Sequence, residues 1–122
     1  LVQSLDGRIV DLAALRPLVD RAGALLCVDA TQAAGWLPFD PAVADFVICA
    51  SYKWLMGPNG PAFAWAAPHL LPRLRPAAPN WFACEDPHAA PYGADFRLAA
   101  DGRKLDVVPG LISLAVLAPS LD

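Results

Sequence analysis

Three polar side chains that could take part in chemistry follow two apolar segments near the middle of the sequence. Asp29 and Gln32 come after residues 25–28, and Lys53 comes after residues 46–49. Short apolar segments that contain Val, Ile and Phe predict buried strands of a parallel sheet. Ligands of open α/β sheets bind just beyond the carboxyl ends of such strands. The sequence therefore predicts that a carboxylate and an amine lie at the same edge of one sheet.

A carboxylate beside an amine can be a simple ion pair, but it also suits a pyridoxal phosphate (PLP) site. Such a site needs a lysine for the cofactor aldehyde, a carboxylate for the pyridine nitrogen, a donor for the ring oxygen and groups that hold the phosphate. Lys53, Asp29 and Gln32 meet the first three requirements in that order. Ser51 and Tyr52 offer hydroxyl groups for the phosphate.

Each of these residues also has a common structural explanation. A lone lysine before a tryptophan is most often a solvated side chain, although the apolar residues 54–56 predict a partly desolvated Lys53 amine. An aspartate at a strand end is most often a turn or capping residue, and Gly-Pro-Asn-Gly at residues 57–60 is a strong turn signal. The cofactor hypothesis therefore depends on the combination of residues and not on any one of them.

The composition limits the class of protein. The 122 residues suffice for one modest domain, and they are 57% hydrophobic and only 17% charged. This apolar composition, together with the abrupt ends at Leu1 and Asp122, predicts a piece of a larger protein. The formal net charge is −3 without a basic stripe, which argues against a nucleic-acid partner. No apolar segment approaches the roughly 20 residues that span a bilayer, so we expect no membrane partner.

The cysteines and histidines form no recognisable metal or disulfide pattern. Cys27, Cys49 and Cys84 are an odd number at wide spacing. Cys27 and Cys49 lie inside the apolar segments and are predicted to be core residues. His69 and His88 are solitary, which predicts surface placement and not metal binding. This use of cysteine fits a reducing cytoplasm.

The whole pattern predicts an α/β fold, with a mostly parallel sheet and helices on both faces. Asp11 is a suitable N-cap for a helix over residues 12–22, and Gly23 supplies its end. The other expected elements are a third strand at 62–67, a short helix at 68–75, an irregular segment at 77–110 and a helix at 111–117.

Two motifs make a family resemblance. VDATQAAG at residues 28–35, followed by DFVICASYKWLMGPNGPAFAW at residues 45–65, closely resembles the class V aminotransferase family. This family of fold-type I PLP enzymes also includes cysteine desulfurases, kynureninases and isopenicillin N epimerase-like proteins. The resemblance covers residues 4–117. It implies that residues 1–122 are the central fragment of the PLP-binding large domain, without that domain's N-terminal part and without the C-terminal small domain.

The resemblance also implies a role for each residue of the motifs. Asp29 would pair with the pyridine nitrogen, and Gln32 would contact the ring oxygen. Thr31 would pack on a face of the ring, where many relatives have alanine. Tyr52 would touch the phosphate at a position where many relatives carry histidine. Lys53 would carry the cofactor through a Schiff base.

The chain departs from the family pattern at several positions. Ala50 replaces a serine that relatives often have three places before the lysine, which weakens phosphate contact unless Ser51 compensates. The Gly-Thr-Pro segment that reaches a neighbouring subunit's phosphate in relatives appears here only as Asp-Val-Val-Pro at residues 106–109. Cys84 does not match the desulfurase nucleophile, because that cysteine lies well downstream of this region.

Two functions remain open at this point. The first is a cytoplasmic, homodimeric PLP enzyme that acts on an amino-acid substrate, of which this fragment alone would be inactive. Transamination, elimination, β-cleavage and epimerisation share the residues named above, so the sequence does not separate them. The second is a non-enzymatic remnant or binding module that keeps the fold without the cofactor. The presence of Asp29, Gln32 and Lys53 together favours the enzyme.

Overall fold

The computed structural model describes residues 1–89 and 96–121. These residues form two compact units, the first made of Leu1–Ala67 and Gly110–Asp122 and the second of Pro68–Pro109. Among the described residues, every α-helix and every β-strand lies in the first unit. In chain order they are α1 (Leu12–Arg21), β1 (Cys27–Asp29), β2 (Phe46–Ala50), β3 (Ala62–Ala66) and α2 (Leu111–Leu117).

The sheet of the first unit has the order β1-β2-β3. β1 pairs with β2 in parallel, with Asp29 opposite Ile48, whereas β2 pairs with β3 in antiparallel fashion. The α/β class predicted from the sequence is confirmed, although the sheet in this chain is small and mixed. The short connection at residues 51–61 leaves the carboxyl end of β2, and β3 begins beside that same end, so β3 runs antiparallel to β2. A parallel strand would need a long crossover to the other end of the sheet.

Helix α1 covers one face of the sheet. The Asp11 side chain accepts a hydrogen bond from the backbone N–H of Ala14 at 2.9 Å, so the predicted N-cap is confirmed. Leu12 joins the core cluster that contains Val28 and Val47, and Val19 packs against the same cluster. The periodic apolar residues of α1 therefore fix the helix over β1 and β2.

The first strand differs from its prediction in position and in burial. It covers Cys27–Asp29 and not residues 25–28, and its side chains alternate between exposed and buried. Val28 faces the core, so Cys27 lies on the opposite face and is exposed, and its prediction as a core residue is wrong. Cys49 has the same orientation as Val28 and is buried as predicted.

The second unit is irregular, as expected for residues 77–110, of which 90–95 lie outside the described residues. It contains single 3₁₀ turns at Trp81–Ala83 and Gly102–Leu105 and a bridge between Cys84 and Leu98. The short helix predicted at 68–75 is wrong, because this segment forms turns. Pro72 has no N–H for the Pro68 carbonyl, so a regular helix loses the bond that would close its first turn.

A buried carboxylate connects α1 to the beginning of the sheet. Asp45 Oδ2 accepts hydrogen bonds from Arg16 Nη1 and from the backbone N–H of Leu26, both at 2.7 Å. Arg16 Nη2 also donates to the exposed Asp20 at 2.6 Å. Asp45 is 7% exposed, so the Leu26 N–H has little access to water as a substitute acceptor.

Replacement of Asp45 by alanine should lower the free energy of unfolding of the full-length protein by about 2 kcal/mol, because the buried Leu26 N–H loses its acceptor. Asp20→Ala is the matched control, since it removes only the exposed partner of Arg16, and it should cost distinctly less. Urea denaturation followed by circular dichroism measures both. Equal effects of the two substitutions would contradict the role given to Asp45.

Candidate active site

The four predicted site residues line one open cleft of about 280 Å³ in the first unit. Asp29, Gln32, Tyr52 and Lys53 all border it, together with Thr31 and the first residues of the chain. Asp29 is the last residue of β1, and Lys53 follows the end of β2. The parallel pairing of these two strands puts their carboxyl ends side by side. The sequence-based expectation of a carboxylate and an amine at one edge of a sheet is therefore confirmed.

The Asp29 carboxylate is exposed to the cleft and held by its own chain neighbour. The Thr31 backbone N–H donates to Asp29 Oδ1 at 2.8 Å. The Thr31 side chain and this backbone N–H stabilise the charged form and hold the pKa of Asp29 below its ordinary value, against a smaller opposite effect of burial. The Asp29 carboxylate is therefore ionised at neutral pH. On acidification it takes up its proton only at a pH below the ordinary pKa of an aspartate.

Thr31 has a second partner across the sheet. Its Oγ1 accepts a hydrogen bond from the backbone N–H of Ala50, the last residue of β2, at 3.0 Å. The family resemblance predicted only that Thr31 packs on a face of the PLP ring. The signal for its additional contacts is its residue type, because threonine offers both a donor and an acceptor where alanine offers neither.

The loop after β2 presents Tyr52 and Lys53 to the cleft. Lys53 Nζ lies 5.8 Å from the centroid of the Tyr52 ring. The loop closes through a hydrogen bond from the Met56 N–H to the Lys53 carbonyl at 2.9 Å, and Met56 has the left-handed φ of 51°. Lys53 is exposed in this chain, so the expected partial desolvation by residues 54–56 is not found.

Ser51 lies outside the cleft. It has no exposed surface, and its hydroxyl donates to the Pro58 carbonyl at 2.9 Å. Its backbone carbonyl accepts from the Gly57 N–H at 2.9 Å. The suggestion that Ser51 replaces the missing serine at Ala50 as a phosphate contact is therefore a misassignment, because its hydroxyl stabilises the turn that follows the loop.

A tryptophan contact that sequence reasoning missed joins the turn at residues 31–36, the Gln32 turn, to the loop at residues 51–56, the Lys53 loop. The rings of Trp36 and Trp54 lie 6.0 Å apart between centroids, and Trp36 Nε1 donates to the Gln32 carbonyl at 2.8 Å. Gly35 has a φ of 101°, and a Cβ there would lie 2.7 Å from the Trp54 carbonyl oxygen. A side chain at Gly35 would therefore push the turn away from the loop.

The other candidates from the sequence do not join this cleft. His69 and His88 are exposed as predicted. Cys84 is a buried free cysteine, and its backbone forms an isolated β-bridge with Leu98 in the second unit. In the part of the chain that the structure describes, no group of three or more His, Cys, Asp or Glu side chains could hold a metal. No helix among the described residues is long and apolar enough to cross a membrane.

Comparison with known proteins identifies the family. The family model for aminotransferase class-V matches residues 1–94. The chain therefore belongs to the class V aminotransferase family, whose enzymes depend on PLP. This confirms the resemblance carried by the motifs around Asp29 and Lys53.

Individual relatives agree with this assignment. The chain is 32% identical over 119 residues to an uncharacterized aminotransferase, YcbU, of Bacillus subtilis, which covers 96% of this chain and 31% of that protein. It is 37% identical over 79 residues to the kynureninase of Pseudomonas fluorescens, covering 62% of this chain and 19% of the relative. The chain thus spans less than a third of the length of these relatives.

Solved structures share the fold. The apo cysteine desulfurase of Thermococcus onnurineus NA1 superimposes with a TM-score of 0.80 at 22% identity, over 98% of this chain and 30% of that one. The cysteine desulfurase CsdA of Escherichia coli matches with a TM-score of 0.79, also at 22% identity. The fold is accordingly that of part of a fold-type I PLP enzyme.

Substitution of Gly35 by alanine should weaken PLP retention by the full-length protein by at least about tenfold. The new Cβ would meet the Trp54 carbonyl and separate the Gln32 turn from the Lys53 loop. Gly23→Ala is the matched control. Gly23 also has a positive φ, 61°, but no atom lies within 4 Å of a Cβ there.

The control variant should lose about 1 kcal/mol of stability from backbone strain and keep its PLP affinity. Both quantities can be measured on the same samples, by thermal melting and by fluorescence titration with PLP. Equal PLP affinity in the Gly35 and Gly23 variants would show that the close approach to Trp54 does not matter to the site.

Proposed function

We propose that the full-length protein is a PLP-dependent enzyme that acts on an amino-acid substrate, with Lys53 as the residue that binds the cofactor covalently. The observation that carries this proposal is the common cleft of Asp29, Gln32, Tyr52 and Lys53. Family membership supplies the class of cofactor, and the cleft supplies a carboxylate, an amide, a phenol and an amine within one space.

The donor set fits PLP chemically. An ionised Asp29 suits a protonated pyridine nitrogen, and the side chain and backbone N–H of Thr31 favour that ionised form. The Gln32 amide can donate to the ring oxygen, and the Tyr52 hydroxyl can donate to the phosphate. When bound, PLP supplies an electron-accepting ring that stabilises negative charge on the substrate α-carbon.

Lys53 has two tasks in this proposal. Its amine would hold the cofactor aldehyde. When it is free, the Lys53 amine would remove a proton from the substrate α-carbon and return it. A guanidinium in its place would stay protonated and could do neither.

The substrate class is an amino acid, and four reactions use the same local residues. In transamination, elimination, β-cleavage and epimerisation alike, Asp29 would hold a proton at the pyridine nitrogen and Lys53 would move a proton at the substrate α-carbon. The relatives carry the names aminotransferase, kynureninase and cysteine desulfurase, so they span more than one of these reactions. The alternative, a fold that has lost the cofactor, is an outcome of the first experiment below.

We further propose that the full-length protein is a cytoplasmic homodimer. The family resemblance supports the homodimer, because it implies that a segment of a neighbouring subunit reaches the phosphate. The exposed apolar side chains of α2, Leu111 (73%), Ile112 (83%) and Val116 (60%), need to be covered in the larger protein, either by the same chain or by the second subunit. Sedimentation velocity and cell fractionation test the two parts, and an active monomer or an exported protein would contradict them.

Borohydride reduction of the PLP-loaded full-length protein should label the peptide that contains Lys53, in a stoichiometric amount seen by mass spectrometry. Lys53→Ala should abolish the label, and Lys53→Arg should not restore it. Lys104→Arg is the matched control and should keep the label, because Lys104 is buried and its Nζ donates to the Leu71 carbonyl at 2.7 Å.

Two results of this experiment would argue against the proposal. Stoichiometric label on a peptide without Lys53 would overturn the assigned role of Lys53. No label and no PLP uptake by the wild-type protein would favour the alternative, a fold without its cofactor.

Asp29→Ala should reduce kcat by at least about a hundredfold while the variant still binds PLP, because no other carboxylate lines the described cleft to hold the proton at the pyridine nitrogen. In the wild type, the lowered pKa of Asp29 predicts that this group causes no loss of activity until the pH falls below the ordinary carboxyl range. Steady-state kinetics across pH, with Asp6→Ala as a surface control, measures both. Activity of the Asp29 variant within about threefold of wild type would refute the role of the carboxylate.

A further inference from the structure

The Thr31 side chain joins the two strands that carry the site. A hydroxyl has one proton to donate and two lone pairs that accept. Thr31 Oγ1 accepts from the Ala50 N–H at 3.0 Å, and the Thr31 backbone N–H donates to Asp29 Oδ1 at 2.8 Å, so one residue contacts both β2 and the carboxylate. The bond from β2 to the side chain therefore fixes the position of the backbone N–H that holds the carboxylate, and the side chain itself favours the charged form of Asp29.

This bridge lies at the point where the backbone pairing of the two strands ends. The last backbone bond there runs from the Ala30 N–H to the Ile48 carbonyl at 2.8 Å. The Ala50 N–H is the next donor of β2 toward β1, and it meets the Thr31 side chain in place of a carbonyl. The side chain thus extends the pairing of β1 and β2 toward the loop that carries Lys53.

We propose that Thr31 is a positioning residue of the PLP site, and that its hydroxyl, anchored on the Ala50 N–H, fixes the Asp29 carboxylate in the orientation that the pyridine nitrogen requires. This inference rests on the proposed function. Without the hydroxyl, the Thr31 backbone N–H that holds the carboxylate is no longer anchored to β2, so the carboxylate can change its orientation. The Ala50 N–H would lose its acceptor as well.

Three uncharged variants separate the hydroxyl from the shape of the side chain. Thr31→Ser keeps the hydroxyl, Thr31→Val keeps the branched shape without it, and Thr31→Ala removes both. None of them changes the charged and titratable groups that face Asp29. These are Lys53 and Tyr52 across the cleft and Cys49 on β2.

The first readout needs no cofactor. The cofactor-free full-length protein is labelled with ¹³C at the aspartate carboxyl carbon, and the NMR signal that disappears in Asp29→Asn is that of Asp29. The pKa of Asp29 read from this signal should rise toward its ordinary value in Thr31→Val and in Thr31→Ala. Thr31→Ser should titrate as the wild type does. The Ala50 amide should exchange with deuterium about fivefold faster in the two variants without a hydroxyl.

The second readout uses the PLP-loaded protein. The pH dependence of its absorbance should shift in Thr31→Val and Thr31→Ala but not in Thr31→Ser, and kcat should fall more than KM changes. If Thr31→Val does not fold, Thr31→Ala decides, since the smaller side chain introduces no new bulk. An unchanged Asp29 titration in both hydroxyl-free variants would overturn the role of Thr31.

The outcomes separate the two proposals. If the wild-type protein takes up no PLP, the proposed function fails and the positioning role fails with it, whatever the Asp29 titration shows. If PLP binds at Lys53 but Asp29 titrates alike in every variant, the proposed function stands and only the role of Thr31 is refuted.

Discussion

The parallel pairing of β1 with β2 determines where every side chain of the candidate site lies. Because Asp29 pairs with Ile48, the carboxylate at the end of β1 lies beside the end of β2, and the loop that carries Lys53 begins there. At the opposite end of the strands, the buried Asp45 carboxylate connects the Leu26 N–H to helix α1 through Arg16. A change in register of one residue would turn Asp29 to the core face and remove it from the cleft.

Beyond the strands, the site depends on contacts between a turn and a loop. The Gln32 turn and the Lys53 loop each have backbone hydrogen bonds of their own, such as Ala34 N–H to the Ala30 carbonyl and Met56 N–H to the Lys53 carbonyl, whereas side chains join one to the other. The Trp36–Trp54 contact and the close approach at Gly35 do this on one side, and the Thr31 hydroxyl does it on the other. Preorganisation of this kind is what a cofactor site requires, because a group that must first be immobilised costs binding free energy.

The sequence predicted those parts of the structure that follow from apolar periodicity and strand ends. It located α1, α2 and the cleft residues Asp29 and Lys53, because these depend on local pattern and on a general rule for parallel strands. It failed at Cys27 and Ser51, whose environments depend on what packs on each face of the sheet and on the fold of the following turn. The sequence of an apolar segment does not determine which of its faces is covered. Likewise, the position of a hydroxyl near a site does not determine which acceptor it donates to.

A crystal structure of the full-length protein with PLP tests the central claim most directly. The claim predicts continuous electron density from Lys53 Nζ to the cofactor, with the Asp29 carboxylate beside the pyridine nitrogen and the Tyr52 hydroxyl at the phosphate. A cofactor attached to a different lysine, or one whose ring nitrogen points away from Asp29, would contradict it.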